Sequence, residues 1–135
     1  MIFLDTTVVS AVLRRRRRGD SEQRLAERVE SLLVTDVPVV LPGIVLQEVL
    51  SGIAAPEQFR RVHDAVHASF PVVLASERDH VAAAELVNAA ARRGVSCSTP
   101  DALIAAQVMR AGGSLFTTDG DFARLAEVVR LELFS

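Results

Sequence analysis

At 135 residues, 50% hydrophobic and 24% charged, the chain is long enough to bury a core, and its composition excludes wholesale disorder. A net charge of −2 excludes a polycation held on nucleic acid by overall charge, so any such binding falls to local patches. The chain has no lysine and all 15 basic residues are arginine, which excludes any mechanism built on a catalytic lysine.

Ile2 to Leu4 is expected to form a short buried strand, with Thr6 capping a helix through Leu13. The run Arg14 to Arg18 and Gly19 interrupt the pattern. Asp20 and Gln23 then form a capping-box pattern for a helix through Leu33. Val37 to Leu41 reads as a second strand, and Pro42 opens a helix that Gly52 closes. Pro56 and Pro71 bracket a further helix. Val72 to Ala75 reads as a third strand, and Ser76-Glu77-Arg78-Asp79 as a helix start whose run Gly94 ends. Thr99-Pro100-Asp101 opens an apolar helix that stops at Gly112-Gly113. Ser114 to Thr117 is a fourth strand, Asp121 to Glu127 a short helix, and Val128 to Leu133 an edge strand. Strands alternating with helices predict one α/β domain over residues 1–135 with a mainly parallel sheet.

Five acids stand in unusual places. Asp5 closes the first apolar run, Glu48 sits in the helix after the second strand, and Asp101 heads an apolar helix. Asp119 and Asp121 follow Leu115-Phe116. Carboxylates at the edge of a core are costly unless compensated, and a divalent cation compensates them. Open α/β sheets gather function beyond the carboxyl ends of their strands, where Asp5 and Asp119 are expected. Oxygen ligands without His or Cys select Mg²⁺ or Mn²⁺, and such a centre activates water against a phosphodiester. Taken singly, Asp101 also reads as a helix-dipole partner, Asp119-Gly120 as a turn, and Glu48 as a solvated residue.

Leu4-Asp5-Thr6-Thr7-Val8-Val9, the Glu48 helix, Pro100-Asp101-Ala102-Leu103-Ile104-Ala105-Ala106 and Thr117-Thr118-Asp119-Gly120-Asp121-Phe122 resemble, in order, the motifs of PIN-domain ribonucleases. Within that family the chain looks most like the VapC-type toxins of toxin–antitoxin pairs. The resemblance implies a three-layer α/β/α sandwich and Mg²⁺- or Mn²⁺-dependent cleavage of RNA. It further implies a cognate antitoxin and a homodimer, while the lone Cys97 and the want of a secretory signal or membrane-spanning run read as a soluble, cytoplasmic protein. By position, Asp5, Glu48, Asp101 and Asp119 would be catalytic, with Asp5, Asp101 and Asp119 as metal ligands. Thr6, Thr117 and Asp121 would support them. Thr7 departs from the family, which more often has Asn or Ser there.

Other signals point elsewhere. Arg14, Arg15, Arg16, Arg17 and Arg18 are candidate RNA-binding residues beside the Asp5 motif. His63 and His67 have the i, i+4 spacing of zinc metalloproteases, but the intervening acid is Asp64 and a third ligand is not evident. The lone Cys97 forms no internal disulfide and reads as a small loop residue, and six Phe without Tyr or Trp give few stacking platforms. The basic run follows an apolar segment, the reverse of a secretory signal, and Val37 to Leu46 is too short to span a membrane. A receiver-type signalling module would want a lysine. A haloacid-dehalogenase-like phosphatase would want Asp where Thr7 stands. A catalytically silent PIN-like module that binds RNA or protein is the remaining alternative.

Overall fold

The computed structural model describes residues 1–14 and 19–135, so Arg15, Arg16, Arg17 and Arg18 lie outside the described residues. Ile2, Phe3 and Leu4 are all buried and form β1 (Ile2–Leu4). An apolar run without alternation suits a strand that is paired on both edges and covered on both faces. β1 pairs in parallel with β2 (Val39–Pro42) on one side and with β4 (Ser114–Phe116) on the other. β3 (Val72–Val73) adds in parallel to β2, giving the order β3-β2-β1-β4.

Seven helices connect these strands among the described residues: α1 (Thr6–Leu13), α2 (Asp20–Leu33), α3 (Gly43–Leu50), α4 (Pro56–Ser69), α5 (Glu77–Arg92), α6 (Thr99–Arg110) and α7 (Gly120–Ala126). The result has the parallel sheet that the alternating pattern predicts and the α/β/α layering that the family resemblance implies. α6 buries Ala102, Ile104, Ala105, Ala106, Gln107 and Val108, so it is a core helix with little polar face. The Gln107 Nε2 donates to the Val73 carbonyl at 2.7 Å, tying the core to the short third strand, while its Oε1 is buried without a hydrogen-bond donor among the described residues. The Arg28 guanidinium of α2 lies 4.6 Å from the Phe116 ring centroid and 5.6 Å from that of Phe134. At the start of β4, a Cβ on Gly113 would lie 2.7 Å from the Met1 carbonyl oxygen, a contact only glycine permits.

Several boundaries differ from expectation. The third strand ends at Val73, and Leu74 is 78% exposed. The expected edge strand over Val128 to Leu133 reduces to one parallel bridge, Leu115 with Leu133, held by the N–H groups of Leu115 and Phe134. α2 starts at Asp20 itself, with Gly19 at the cap position, so Asp20 and Glu22 serve the helix dipole from its first turn. Thr6 is the first residue of α1, and Asp5 occupies its cap position.

α5 begins with a closed capping box. Asp79 N–H donates to Ser76 Oγ at 3.2 Å, and Ser76 N–H donates to Asp79 Oδ2 at 2.8 Å. The other Asp79 oxygen accepts Arg110 Nε at 2.9 Å, linking α5 to the end of α6. Burial alone would raise the Asp79 carboxyl, but Ser76 and Arg110 together hold it below its ordinary value. Its stabilisation is therefore complete above the unfolded value of 3.8 and is lost as pH falls through the lower folded value. Asp79→Ala should cost about 1–2 kcal/mol at neutral pH, with the gap to the parent narrowing in acid, as read by urea melts across pH.

Candidate active site

The chain adds β2 and then β3 on one side of β1, and returns to place β4 on the other. The reversal leaves a crevice at the carboxyl ends of β1 and β4, the position where open α/β sheets bind ligands. Leu4 is in register with Phe116, so the residues that follow them meet at one level. Asp5 N–H donates to the Phe116 carbonyl at 3.0 Å, and Thr117 Oγ1 donates to Asp5 Oδ2 at 2.7 Å.

Asp5 has the extended backbone of a helix cap (φ −83°, ψ 163°), yet its carboxylate caps nothing. Forgoing a cap costs about 1 kcal/mol, and here the carboxylate turns to the crevice although only 4% exposed. Thr7 Oγ1 donates to the same Oδ2 at 3.2 Å. Each threonine hydroxyl also accepts a backbone N–H from the loop after β4: Thr7 from Thr118 at 3.4 Å, and Thr117 from Asp119 at 3.0 Å. Two hydroxyls thus fasten Asp5 to the loop that carries Asp119. The link through Thr7 was not legible in sequence, because a hydroxyl two residues along α1 has many other partners available.

Asp119 caps α7, its Oδ1 accepting Asp121 N–H at 2.9 Å. Asp121 pairs with Arg124 one turn on. Asp101 lies in the first turn of α6, where its N–H donates to Ser98 Oγ at 3.3 Å without the return bond that closes the box of α5. Glu48 reaches in from α3, and Thr6 Oγ1 donates to its Oε1 at 3.2 Å.

Carboxylate oxygens of Asp101, Asp119 and Asp121 lie within 4.8 Å of one another. Burial pushes the Asp101 carboxyl above its ordinary value, and the charges of Asp119, Asp5 and Glu48 push it further, against a lowering hydrogen bond from Ser98. The four acids expected to be catalytic therefore share one electrostatic neighbourhood. Asp121 approaches Asp101 and Asp119 more closely than its expected supporting place implied. Such an all-oxygen set fits a hard divalent cation. Cys97 lies beside it: burial raises its thiol, and Asp101 and Asp121 add to the rise. That thiol is a poor nucleophile.

His63 and His67 stack on α4 with centroids 5.7 Å apart, and they join no group of three or more metal-ligating side chains among the described residues. Arg14 lies at the end of α1, paired with Glu22 on α2. The rest of the basic run falls outside the described residues.

A raised carboxyl penalises the metal-free fold. The penalty is absent below the unfolded value of 3.8 and develops as pH rises through the higher folded value. Asp101→Asn should therefore raise the melting temperature of the metal-free protein at neutral pH by about 1–3 °C, and the gain should vanish in acid. Calorimetric melts in EDTA across pH check this; a gain that persists unchanged at low pH would have another cause.

Comparison with known proteins agrees with this architecture. The family model of the PIN domain matches residues 2–128. No curated protein matches the chain. Among solved structures, FitAcB from Neisseria gonorrhoeae shares 21% identity at a TM-score of 0.78, covering 100% of this chain and 97% of that one. VapBC2 from Rickettsia felis, bound to a promoter DNA fragment, shares 22% identity at 0.78 over 99% and 98%. The toxin VapC20 from Mycobacterium tuberculosis, described as cleaving the sarcin–ricin loop, shares 22% identity at 0.68 over 97% and 98%. With its parallel sheet, its acids at the β1–β4 crevice and a match that spans nearly the whole chain, this protein belongs to the PIN domain family.

Proposed function

We propose that residues 1–135 form a single metal-dependent endoribonuclease domain, the toxin member of a toxin–antitoxin pair. The observation that carries the reading is the convergence of Asp119, Asp5 and Glu48 on Asp101, whose carboxyl is raised by burial and further by those charges. Acids placed so that they repel one another destabilise the empty fold, and a cation relieves that cost. The relatives described as toxins and toxin–antitoxin complexes support the biological setting by shared fold.

In this reading Asp5, Asp101 and Asp119 hold Mg²⁺ or Mn²⁺, and the proximity of Asp121 to Asp101 and Asp119 makes it a further ligand. When bound, the ion supplies Lewis-acid stabilisation of the phosphodiester and a water of lowered pKa. Glu48, oriented by Thr6, accepts a proton from the attacking water. Thr117 and Thr7 fix the rotamer of Asp5, so the acid does not reorganise during the reaction. RNA is the substrate, an antitoxin protein the physiological partner, and a cytoplasmic homodimer the working form. No helix among the described residues is long and apolar enough to cross a membrane.

Asp5→Asn and Asp101→Asn should each lower RNA cleavage by at least about a hundredfold while circular dichroism stays unchanged. Activity should appear with Mg²⁺ or Mn²⁺ and not with zinc alone. Full activity in either variant overturns the assignment.

A further inference from the structure

We infer that His63 and His67 on α4 chelate a divalent transition metal of the class of Cu²⁺, Ni²⁺ and Zn²⁺, at a surface site separate from the acidic crevice. The acids of the crevice offer only oxygen, which suits harder ions, whereas paired imidazoles select this borderline class. The site goes beyond the nuclease reading and does not depend on it.

Four observations carry it. First, the two histidines stand at i and i+4 within α4, so they share one side of the helix. Second, their ring centroids are 5.7 Å apart and the ring planes only 9° from parallel, so the imidazoles face each other across one turn. Third, His63 Nδ1 lies 3.2 Å from Asp64 Oδ1. An ionised carboxylate only accepts, so in the neutral imidazole Nδ1 carries the proton and Nε2 keeps its lone pair for a metal. A carboxylate behind a histidine is the usual support of a metal-binding ring, because it fixes the tautomer and raises the basicity of the other nitrogen. Fourth, His67 lies in the last turn of α4, where the helix dipole favours a cation.

The surroundings allow the ion to enter. The His63 side chain is 44% exposed and His67 is exposed, so both rings are reached from solvent. The torsion that turns an imidazole has a broad well, and the two rings can tilt onto an ion without repacking the core. No third metal-ligating side chain joins the pair among the described residues, which leaves the remaining coordination positions to water. The site is therefore open and exchangeable, unlike a closed structural zinc. Arg60 lines a groove with His63, and its charge opposes the ion.

The test titrates Cu²⁺, Ni²⁺, Zn²⁺ and Mn²⁺ separately into the full chain by calorimetry at neutral pH. Cu²⁺ should bind most tightly and Mn²⁺ most weakly. Electron paramagnetic resonance of bound Cu²⁺ should show splitting by nitrogen ligands, which the oxygens of the crevice do not give. His63→Gln and His67→Gln should each weaken this binding by at least about tenfold, because a chelate that loses one ligand loses the high effective concentration of the second. His67→Ala/Ala68→His keeps the number of histidines but moves one imidazole off the shared face, and should lose as much. His80→Gln removes the third histidine of the chain and should change nothing. Arg60→Gln should tighten binding.

A Cu²⁺ spectrum without nitrogen splitting overturns the proposal. So does undiminished binding in either single variant or in the shifted pair, or an equal loss in His80→Gln.

Discussion

The parallel pairing of β1 with β4 is the constraint from which the rest of the site follows. It puts Leu4 opposite Phe116, and therefore Asp5 beside Thr117, although the two are 112 positions apart in the chain. A slip of one residue would turn every side chain of the short strand to the opposite face. It would carry Asp5 out of reach of both its hydroxyl donors. The fold resists that slip with a fully buried strand, with Gly113 pressed against the Met1 carbonyl, and with the Phe116 ring covered by Arg28 and Phe134.

Around this junction the protein uses the same residue types in two ways. Ser76 with Asp79 closes a helix start completely, and Asp79 also braces α5 against α6 through Arg110. Ser98 with Asp101 has the same spacing but closes only half the box, and Asp5 at the cap position of α1 does not cap at all. The difference lies in what faces the carboxylate. Burial works to raise both carboxyls, but hydrogen bonds from Ser76 and then Arg110 bring Asp79 below its ordinary value, whereas the neighbouring acids add to the rise of Asp101. Stability is given up where the acids converge and recovered at the opposite end of α6.

Much of this was legible in the sequence. The central strands announced themselves as unbroken apolar runs, because strands covered on both faces need no alternation. The acids were legible because each stood in, or at one end of, an apolar stretch of strand or helix. The short third strand was not, since Ala75 and Leu74 are apolar while only Val72 and Val73 find hydrogen-bonding partners. The tail after α7 was overread for the same reason: its valines and leucines pack as a loop with one bridge. The nearness of Asp121 to the other acids was not legible either. Its closeness to Asp101 depends on how α7 is set against α6, a three-dimensional relation with no local signature.

The first turn of α1 has a mechanical consequence. Thr6 is joined to Glu48 on α3, while Thr7 is joined to Asp5 and, through Thr118 N–H, to the loop that holds Asp119. Neighbouring residues on one rigid helix thus pull on three separately encoded parts of the crevice. A rotation or slide of α1 cannot be absorbed by a single acid; it loosens or tightens them together. The crevice therefore has fewer independent degrees of freedom than its scattered residues imply. Anything that grips α1 from outside has a lever on the whole acidic cluster.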